Sequence, residues 1–323
     1  MRRQGGDTYL QNAAVLLYTA TEWGYIPAEN CWIVETAGCN AMKKRVLLKI
    51  AYDGTAYCGF QVQPNGITVQ EVVNRALSDL TGEDIHTIGA SRTDAGVHAR
   101  GNAAVFDTEM RMDASKFAGA LNVRLPEDIR IVGSEEVPAD FHPRHTDTVK
   151  TYEYHILNSH YPDPTRRLYS LFCYYHLDSG AMRQALSALT GTHDFRSFQS
   201  SNETRPDKNT VRTIYSAELF CEDESRAGTG TGEGDIQQPA NERHHSSGDP
   251  ADGYHGLMTI RLTGNGFLYN MVRIIAGTVI DIGRGKIPAD SMPDIIEARD
   301  RAAAGQTAPA HGLTLVDIQF RAL

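Results

Sequence analysis

The chain has 323 residues, enough for one large domain or two of ordinary size, and its composition of 41% hydrophobic and 22% charged residues is typical of a globular protein. No stretch approaches the roughly 20 apolar residues that a membrane-spanning helix needs. The five cysteines are odd in number and include no Cys-x-x-Cys pair, so neither a disulfide framework nor a zinc site is expected. Free thiols fit a cytoplasmic protein.

The net charge of −9 is unevenly distributed along the chain. Residues 222–253 carry −6 and residues 1–41 carry −2, which leaves the remainder near −1. A near-neutral body can still carry a local basic groove, although the sequence contains no basic run that would mark one. Charge alone therefore neither favours nor excludes a nucleic-acid partner.

Two segments differ in character from the rest of the chain. Residues 13–20 faintly resemble the apolar core of a signal peptide, but no small-residue cleavage site follows them. Met42 precedes a basic tripeptide and a predicted strand, so we interpret residues 1–41 as an extension that is disordered or not translated. Residues 222–253 are rich in Gly, Ser, Thr and acids, which predicts a disordered insert.

The N-terminal half, residues 42–148, shows the order strand, helix, strand, strand, helix, strand. Alternating apolar residues predict the strands, and apolar residues at helical spacing predict the helices. The expected elements are a strand over 46–52, a helix from Thr68 to Gly82, short strands over 85–90 and 103–106, a helix capped by Asp113 that ends before Pro126, and a strand over 129–137.

The C-terminal half, residues 149–323, repeats this order. Its expected elements are a strand over 152–156, a helix over 182–189, paired strands over 211–220 and 257–262, an apolar helix over 268–279, a short helix over 294–299 and a strand over 313–320. The order βαββαβ is that of the ferredoxin-like unit. We therefore predict an α+β fold of two ferredoxin-like halves, with mainly antiparallel sheets side by side and a central active-site cleft.

The segment 89–99, with the sequence GASRTDAGVHA, is the first candidate for chemistry. It places Arg92, Asp94 and His98 in and around one tight turn, and Gly96 permits a positive φ there. The alternative is an ordinary hairpin in which Asp94 forms an Asx-turn and Arg92 lies in solvent.

Arg273 is the second candidate, because it lies in a helix that is apolar on most sides. A buried guanidinium needs a carboxylate or an equivalent partner, since an unpaired buried charge is costly. The alternative is that the Arg273 side chain extends along the helix to reach solvent.

Tyr152 and Tyr154 alternate on one face of a predicted strand and form the third candidate. Aromatic rings on a strand can stack on nucleobases, contributing roughly 1–3 kcal/mol per base. The alternative is that both tyrosines belong to the protein core. The segment 193–198, HDFRSF, we interpret as a loop anchored by its two phenylalanines.

Taken together, residues 42–320 resemble the TruA family of tRNA pseudouridine synthases. Six blocks carry the resemblance in order: residues 52–61, the SRTD block at 91–94, YEY at 152–154, HDF at 193–195, NMVR at 270–273 and APAHGLTL at 308–315. The extension and the acidic insert depart from the family pattern without touching any of these blocks.

The resemblance implies a function and a set of residue roles. Asp94 matches the catalytic aspartate, Arg273 the arginine that pairs with it, Tyr152 the tyrosine that stacks on the target uracil, and Arg92 the arginine that enters the RNA stem where the base is extruded. The family modifies positions 38–40 in the anticodon stem-loop of tRNA, acts as a homodimer, and uses neither cofactor nor metal.

Two other classes of protein remain open on the residues alone. A non-catalytic ferredoxin-like RNA-binding protein would explain the element order and the aromatic strand, but not a charged arginine in an apolar helix. A retaining glycosidase would use Asp94 as its nucleophile, yet it usually needs a second carboxylate, and the sequence signals none beside the Asp94 turn.

Overall fold

A computed structural model of the protein describes residues 43–200, 209–222 and 254–321. All of these residues belong to one unit, which spans residues 41–323. The expectations for the extension 1–41 and for the acidic insert 222–253 lie outside the described residues, apart from Glu222. None of the described helices has the length and apolar character needed to cross a membrane.

The fold is a mixed α+β arrangement whose elements follow the predicted order. The strands are β1 (Lys44–Tyr52), β2 (Ile88–Gly89), β3 (His98–Thr108), β4 (Ile129–Val137), β5 (Thr148–Asn158), β6 (Leu171–Cys173), β7 (Gly191–Asp194), β8 (Val211–Cys221), β9 (Gly256–Gly264) and β10 (Leu313–Phe320). The α-helices in the described part are α1 (Val69–Thr81), α2 (Phe117–Asn122), α3 (Ser179–Ser187), α4 (Met271–Gly283) and α5 (Met292–Ala298). Strands β6 and β7 are additions to the sequence-based prediction.

Local sequence signals set the ends of the first helices. The Thr68 side chain accepts a hydrogen bond from the backbone N–H of Glu71 and so caps α1, and Gly82 ends that helix in the left-handed conformation. The Asp113 side chain caps a 3₁₀ turn, Ala114–Lys116, that leads directly into α2. The predicted start and end of α1 are therefore confirmed, whereas Asp113 caps the 3₁₀ turn and α2 itself follows Lys116 without a side-chain cap.

The strands of both halves form one large, mostly antiparallel sheet. Its order is β4-β1-β3-β10-β5-β9-β8-β7, with β2 paired to β3 and β6 paired to β5. Instead of remaining two separate sheets, the halves are joined through the last strand, which no local pattern in the sequence specifies. The sheet buries its apolar side chains with the helices in one core.

The joint between the halves is narrow and lies beside the segment predicted to carry chemistry. Strand β10 pairs in parallel with β3 through Thr314 with His98 and Leu315 with Ala99. Leu315 also pairs antiparallel with Tyr152 on β5. Because the turn that contains Asp94 leads directly into His98, this pairing brings the turn close to the strand that carries Tyr152.

Helix α4 is almost completely buried, and the chain preceding β10 crosses it at close range. Gly277 provides the space for this crossing, because a Cβ atom there would collide with the carbonyl oxygen of Gln306. The backbone N–H of Ala308 then donates to the carbonyl oxygen of Arg273 at 3.1 Å. The crossing therefore holds the backbone of α4 at Arg273 and at Gly277, one turn further along the helix.

We expect Gly277→Ala to lower the free energy of unfolding by about 1–3 kcal/mol, because the added methyl group forces the crossing chain away from α4. Gly119→Ala in α2 is the matched control, since a methyl group there meets open space. That variant is expected to be neutral or to gain up to about 1 kcal/mol from helix propensity. Urea denaturation measures both, and equal stabilities would contradict the close crossing.

Candidate active site

A cleft of about 1000 Å³ lies at the joint between the halves. Its lining includes all four side chains singled out by the sequence: Arg92, Asp94, Tyr152 and Arg273. Asp94 and Arg92 come from the turn between β2 and β3, Tyr152 from β5, and Arg273 from the first turn of α4. Residues 179 positions apart in the sequence thus reach one cavity.

The Asp94 turn is held by backbone and hydroxyl contacts that leave the carboxylate available. The Val97 N–H donates to the Asp94 carbonyl oxygen at 3.1 Å, and Gly96 adopts the positive φ of 77°. The preceding residue, Thr93, accepts a backbone hydrogen bond from Phe60, and its hydroxyl lies 2.7 Å from the hydroxyl of Tyr52. Among the described residues, the Asp94 side chain makes its hydrogen bond to Arg273, so the Asx-turn alternative is not observed.

The Arg273 guanidinium points toward the cleft, where three acceptors hold it. Its Nε donates to the carbonyl oxygen of Ala308 at 2.8 Å, and its Nη1 donates to Asn270 Oδ1 at 2.9 Å and to Asp94 Oδ2 at 3.4 Å. The side chain is 18% exposed and that of Asp94 is 28% exposed. The pair is therefore mostly buried, and the alternative in which Arg273 reaches bulk solvent does not apply.

Burial and Arg273 shift the pKa of the Asp94 carboxyl in opposite directions. Burial raises the pKa of the Asp94 carboxyl above its ordinary value, and the charge and hydrogen bond of Arg273 oppose that rise without cancelling it. Arg273 thus stabilises the ionised Asp94 carboxylate at a site where limited access to solvent would otherwise favour the protonated form. The ionised form is the one that a nucleophile or a general base requires.

The two tyrosines of β5 have separate environments. Tyr152 lies in the cleft wall, where its hydroxyl is 3.0 Å from Ser91 Oγ and its ring packs edge-on against Phe267. Burial raises the pKa of Tyr152 to about 12, so its phenol stays protonated at neutral pH. Tyr154 is fully buried and donates to the carbonyl oxygen of Pro309. The core alternative therefore holds for Tyr154, whereas Tyr152 faces the cavity.

Arg92 is exposed at the cleft and has no hydrogen bond or ion pair within the described ranges. Its neighbours Ser91 and Thr93 are both buried. The residues on either side of Arg92 are therefore held in the protein while its side chain extends into solvent at the cleft.

Two further residues at the cleft, Asn270 and Lys150, belong to segments that the sequence analysis singled out but received no role there. Asn270 adopts a left-handed conformation with φ of 60° and presents its side-chain oxygen to Arg273; only its place in a matched motif could have indicated this. Lys150, two residues before Tyr152, also lines the cleft. In the part of the chain that the structure describes, no group of three or more His, Cys, Asp and Glu side chains is placed to hold a metal ion.

Comparison of the sequence with known proteins identifies the family to which this site belongs. The sequence profile of a family described as tRNA pseudouridine synthase matches residues 49–145 and 185–321. The chain belongs to this family.

Three relatives named tRNA pseudouridine synthase A support the assignment. The protein of Acetivibrio thermocellus is 42% identical over 86% of this chain and 100% of its own length. That of Exiguobacterium sp. is 40% identical over 86% and 98%, and that of Halalkalibacterium halodurans is 42% identical over 84% and 90%.

The family assignment made from the six sequence blocks is thereby confirmed. Members of the tRNA pseudouridine synthase family are isomerases that convert uridine to pseudouridine in tRNA, so the predicted class of enzyme and of substrate is confirmed as well. The two matched ranges contain Arg92, Asp94 and Arg273, and Tyr152 lies in the segment between them.

We expect Arg273→Met to shift the acidic limb of the activity profile toward higher pH, because Met no longer lowers the pKa of Asp94. The variant is also expected to be less stable, and more so at about pH 7 than at about pH 4. Asp94 is ionised at the higher pH and lacks its partner, whereas near pH 4 the raised pKa leaves it largely protonated.

Thermal melts and rates measured across this pH range test the expectation. In an Asp94→Asn background the pH dependence of the Arg273→Met stability loss should vanish, because no carboxylate remains to titrate. A stability loss that is the same at both pH values in the otherwise wild-type protein would show that Arg273 acts only through Asn270 and Ala308.

Proposed function

We propose that this protein isomerises uridine to pseudouridine at positions 38–40 in the anticodon stem-loop of tRNA, with Asp94 as its catalytic carboxylate. The observation that carries the proposal is the Asp94–Arg273 pair, 3.4 Å apart in the central cleft. The choice of the anticodon stem-loop rests on the resemblance to the TruA family.

The reaction breaks the bond between uracil N1 and ribose C1′, rotates the freed base and joins C1′ to uracil C5. The C5 proton is lost and N1 gains a proton, so the product is an isomer of the substrate. Two routes use the same carboxylate, which either adds to C1′ or removes a proton from the ribose. Arg273 stabilises the negative charge of Asp94 in both routes.

In this proposal Tyr152 contacts the extruded uracil, and Arg92 occupies the space that the uracil leaves in the RNA stem. A uridine in a helix is out of reach, and extruding it costs a few kcal/mol. Arg92, which has no hydrogen bond or ion pair to any described residue, fills the gap left in the stem and offsets part of that cost. The Tyr152 ring, held by Phe267 and by the hydroxyl of Ser91, supports the freed uracil while it rotates.

The two halves, residues 42–148 and 149–323, are in our proposal each a ferredoxin-like unit. Strand order supports this, because β4-β1-β3-β2 in the first half corresponds to β10-β5-β9-β8 in the second. Following the family resemblance, we further propose a homodimer that acts in the cytoplasm without a cofactor or metal. A non-catalytic RNA-binding protein is the less favoured function, because it gives no role to a partly buried carboxylate paired with an arginine.

We expect Asp94→Asn to abolish pseudouridine formation in tRNA while leaving the fold intact. Its melting temperature at neutral pH should equal or exceed that of the wild type, because burial penalises the ionised carboxylate that the substitution removes. Chemical mapping of pseudouridine in a tRNA transcript measures the activity. Turnover like that of the wild type would remove Asp94 from the mechanism, and modification outside positions 38–40 would contradict the proposed target.

Tyr152→Phe and Tyr152→Leu separate the ring from its hydroxyl. The first keeps the ring and loses one hydrogen bond to Ser91, worth about 1 kcal/mol, so we expect a rate loss of roughly fivefold. The second removes the stacking surface and should cost roughly 10- to 100-fold. Single-turnover rates on tRNA test this, and equal losses in both variants would argue that the phenol rather than the ring acts on the substrate.

A further inference from the structure

Lys150 presents a positive charge to the cleft, where no described residue forms an ion pair with it. It lies on β5 two residues before Tyr152, on the same face of the strand, so the two side chains leave the sheet about 7 Å apart. The side chain is half-buried, and its Nζ donates to the carbonyl oxygen of Ala90, just before the Asp94 turn. Within residues 43–200, 209–222 and 254–321 no carboxylate forms an ion pair with it.

Arg212 on β8 supplies a second cation beside the first. Gly264 pairs with Lys150 on one side and with Ile214 on the other, so the strand between the two cations contributes a residue without a side chain. Arg212 is half-buried, and its Nη1 donates to the carbonyl oxygens of Asn209 and Val211. Its Nε and Nη2 have no acceptor in the described part of the chain, and no carboxylate there pairs with it.

Two neighbouring half-buried cations are unfavourable unless an anion joins them. This cost lowers the pKa of both cations. Burial, assisted by the charge of Arg212, lowers the pKa of Lys150 to about 8, and burial also lowers the pKa of Arg212. Both positively charged residues, Lys150 and Arg212, nevertheless occur side by side in a protein whose net charge is −9.

We propose that Lys150 and Arg212 form a binding site for one phosphate of the RNA backbone, next to the uridine that is extruded into the cleft. This rests on the proposed tRNA reaction and deepens it. The spacing of Lys150 from Tyr152 matches the reach of one nucleotide, from a base on the tyrosine ring to an adjacent phosphodiester. The site would hold the RNA backbone, and with it the ribose of the target uridine, in place while the freed uracil rotates.

Neutralising single phosphates tests the proposal. A synthetic stem-loop substrate is prepared with one methylphosphonate linkage at a time on either side of the target uridine. Lys150→Gln and Arg212→Gln are each expected to raise the KM for the unmodified RNA by roughly 10- to 100-fold, the loss of one charged hydrogen bond. One linkage should weaken wild-type binding equally and cause no further loss in the two variants.

Matched variants separate this role from unfolding and from a general loss of charge. Lys150→Arg keeps the cation and should retain most of the affinity, and melting temperatures check that the Gln variants fold. Lys116→Gln removes an exposed charge beside α2, outside the cleft lining, and should leave KM unchanged.

The outcomes are distinguishable from a failure of the proposed reaction. If the wild-type protein makes no pseudouridine in the unmodified substrate, the proposed function fails. If it is active but no linkage couples to Lys150 and Arg212, the phosphate site alone is overturned. A fall in kcat with an unchanged KM in Lys150→Gln would also overturn it and would assign Lys150 to the chemical step.

Discussion

The ion pair between Asp94 and Arg273 is the interaction on which the site depends, because each partner belongs to a different half of the chain. Asp94 lies in a turn of the first half, and Arg273 lies in the first turn of a buried helix of the second. Their contact exists only because β10 joins β3 to β5 and because the chain before β10 crosses α4 at Gly277. The catalytic geometry is thus a product of the joint between the halves.

Partial burial gives this pair its chemical character. A fully exposed aspartate would ionise readily but would be solvated and weakly reactive, whereas an unpaired one in the same cleft would tend to stay protonated. Arg273 offsets part of the penalty that burial imposes on the carboxylate, and the Asn270 and Ala308 oxygens keep the guanidinium aimed at it. Asn270 accepts from Arg273 while its own backbone is in the left-handed conformation, which asparagine adopts more readily than most residues.

Sequence reasoning reached the elements and the main site residues but not their assembly. Alternation and helical spacing located β1, β4, β10 and α1 closely, because these elements bury one regular face. The union of both sets of strands in one sheet depends on two residue pairs of β10, which carry no local signal. Tyr152 and Tyr154 look alike in the sequence, and only the tertiary surroundings place one at the cleft and the other in the core. Lys150 likewise gains meaning only beside Arg212, a residue of a different strand.

Net charge was a poor guide to the partner because RNA responds to the local field. Among the described residues, the cleft lining contains the cations Arg92, Arg144, Lys150 and Arg273 and one acid, Asp94, which is itself paired with Arg273. Residues 1–41 and 222–253 together carry −8 of the net charge of −9, and none of them is among the residues that line the cleft in the described part of the chain. With a Debye length of about 8 Å in physiological salt, the potential inside a cleft is set mainly by the charges that line it. A protein with a charge of −9 can therefore present an electropositive surface where the polyanion must enter.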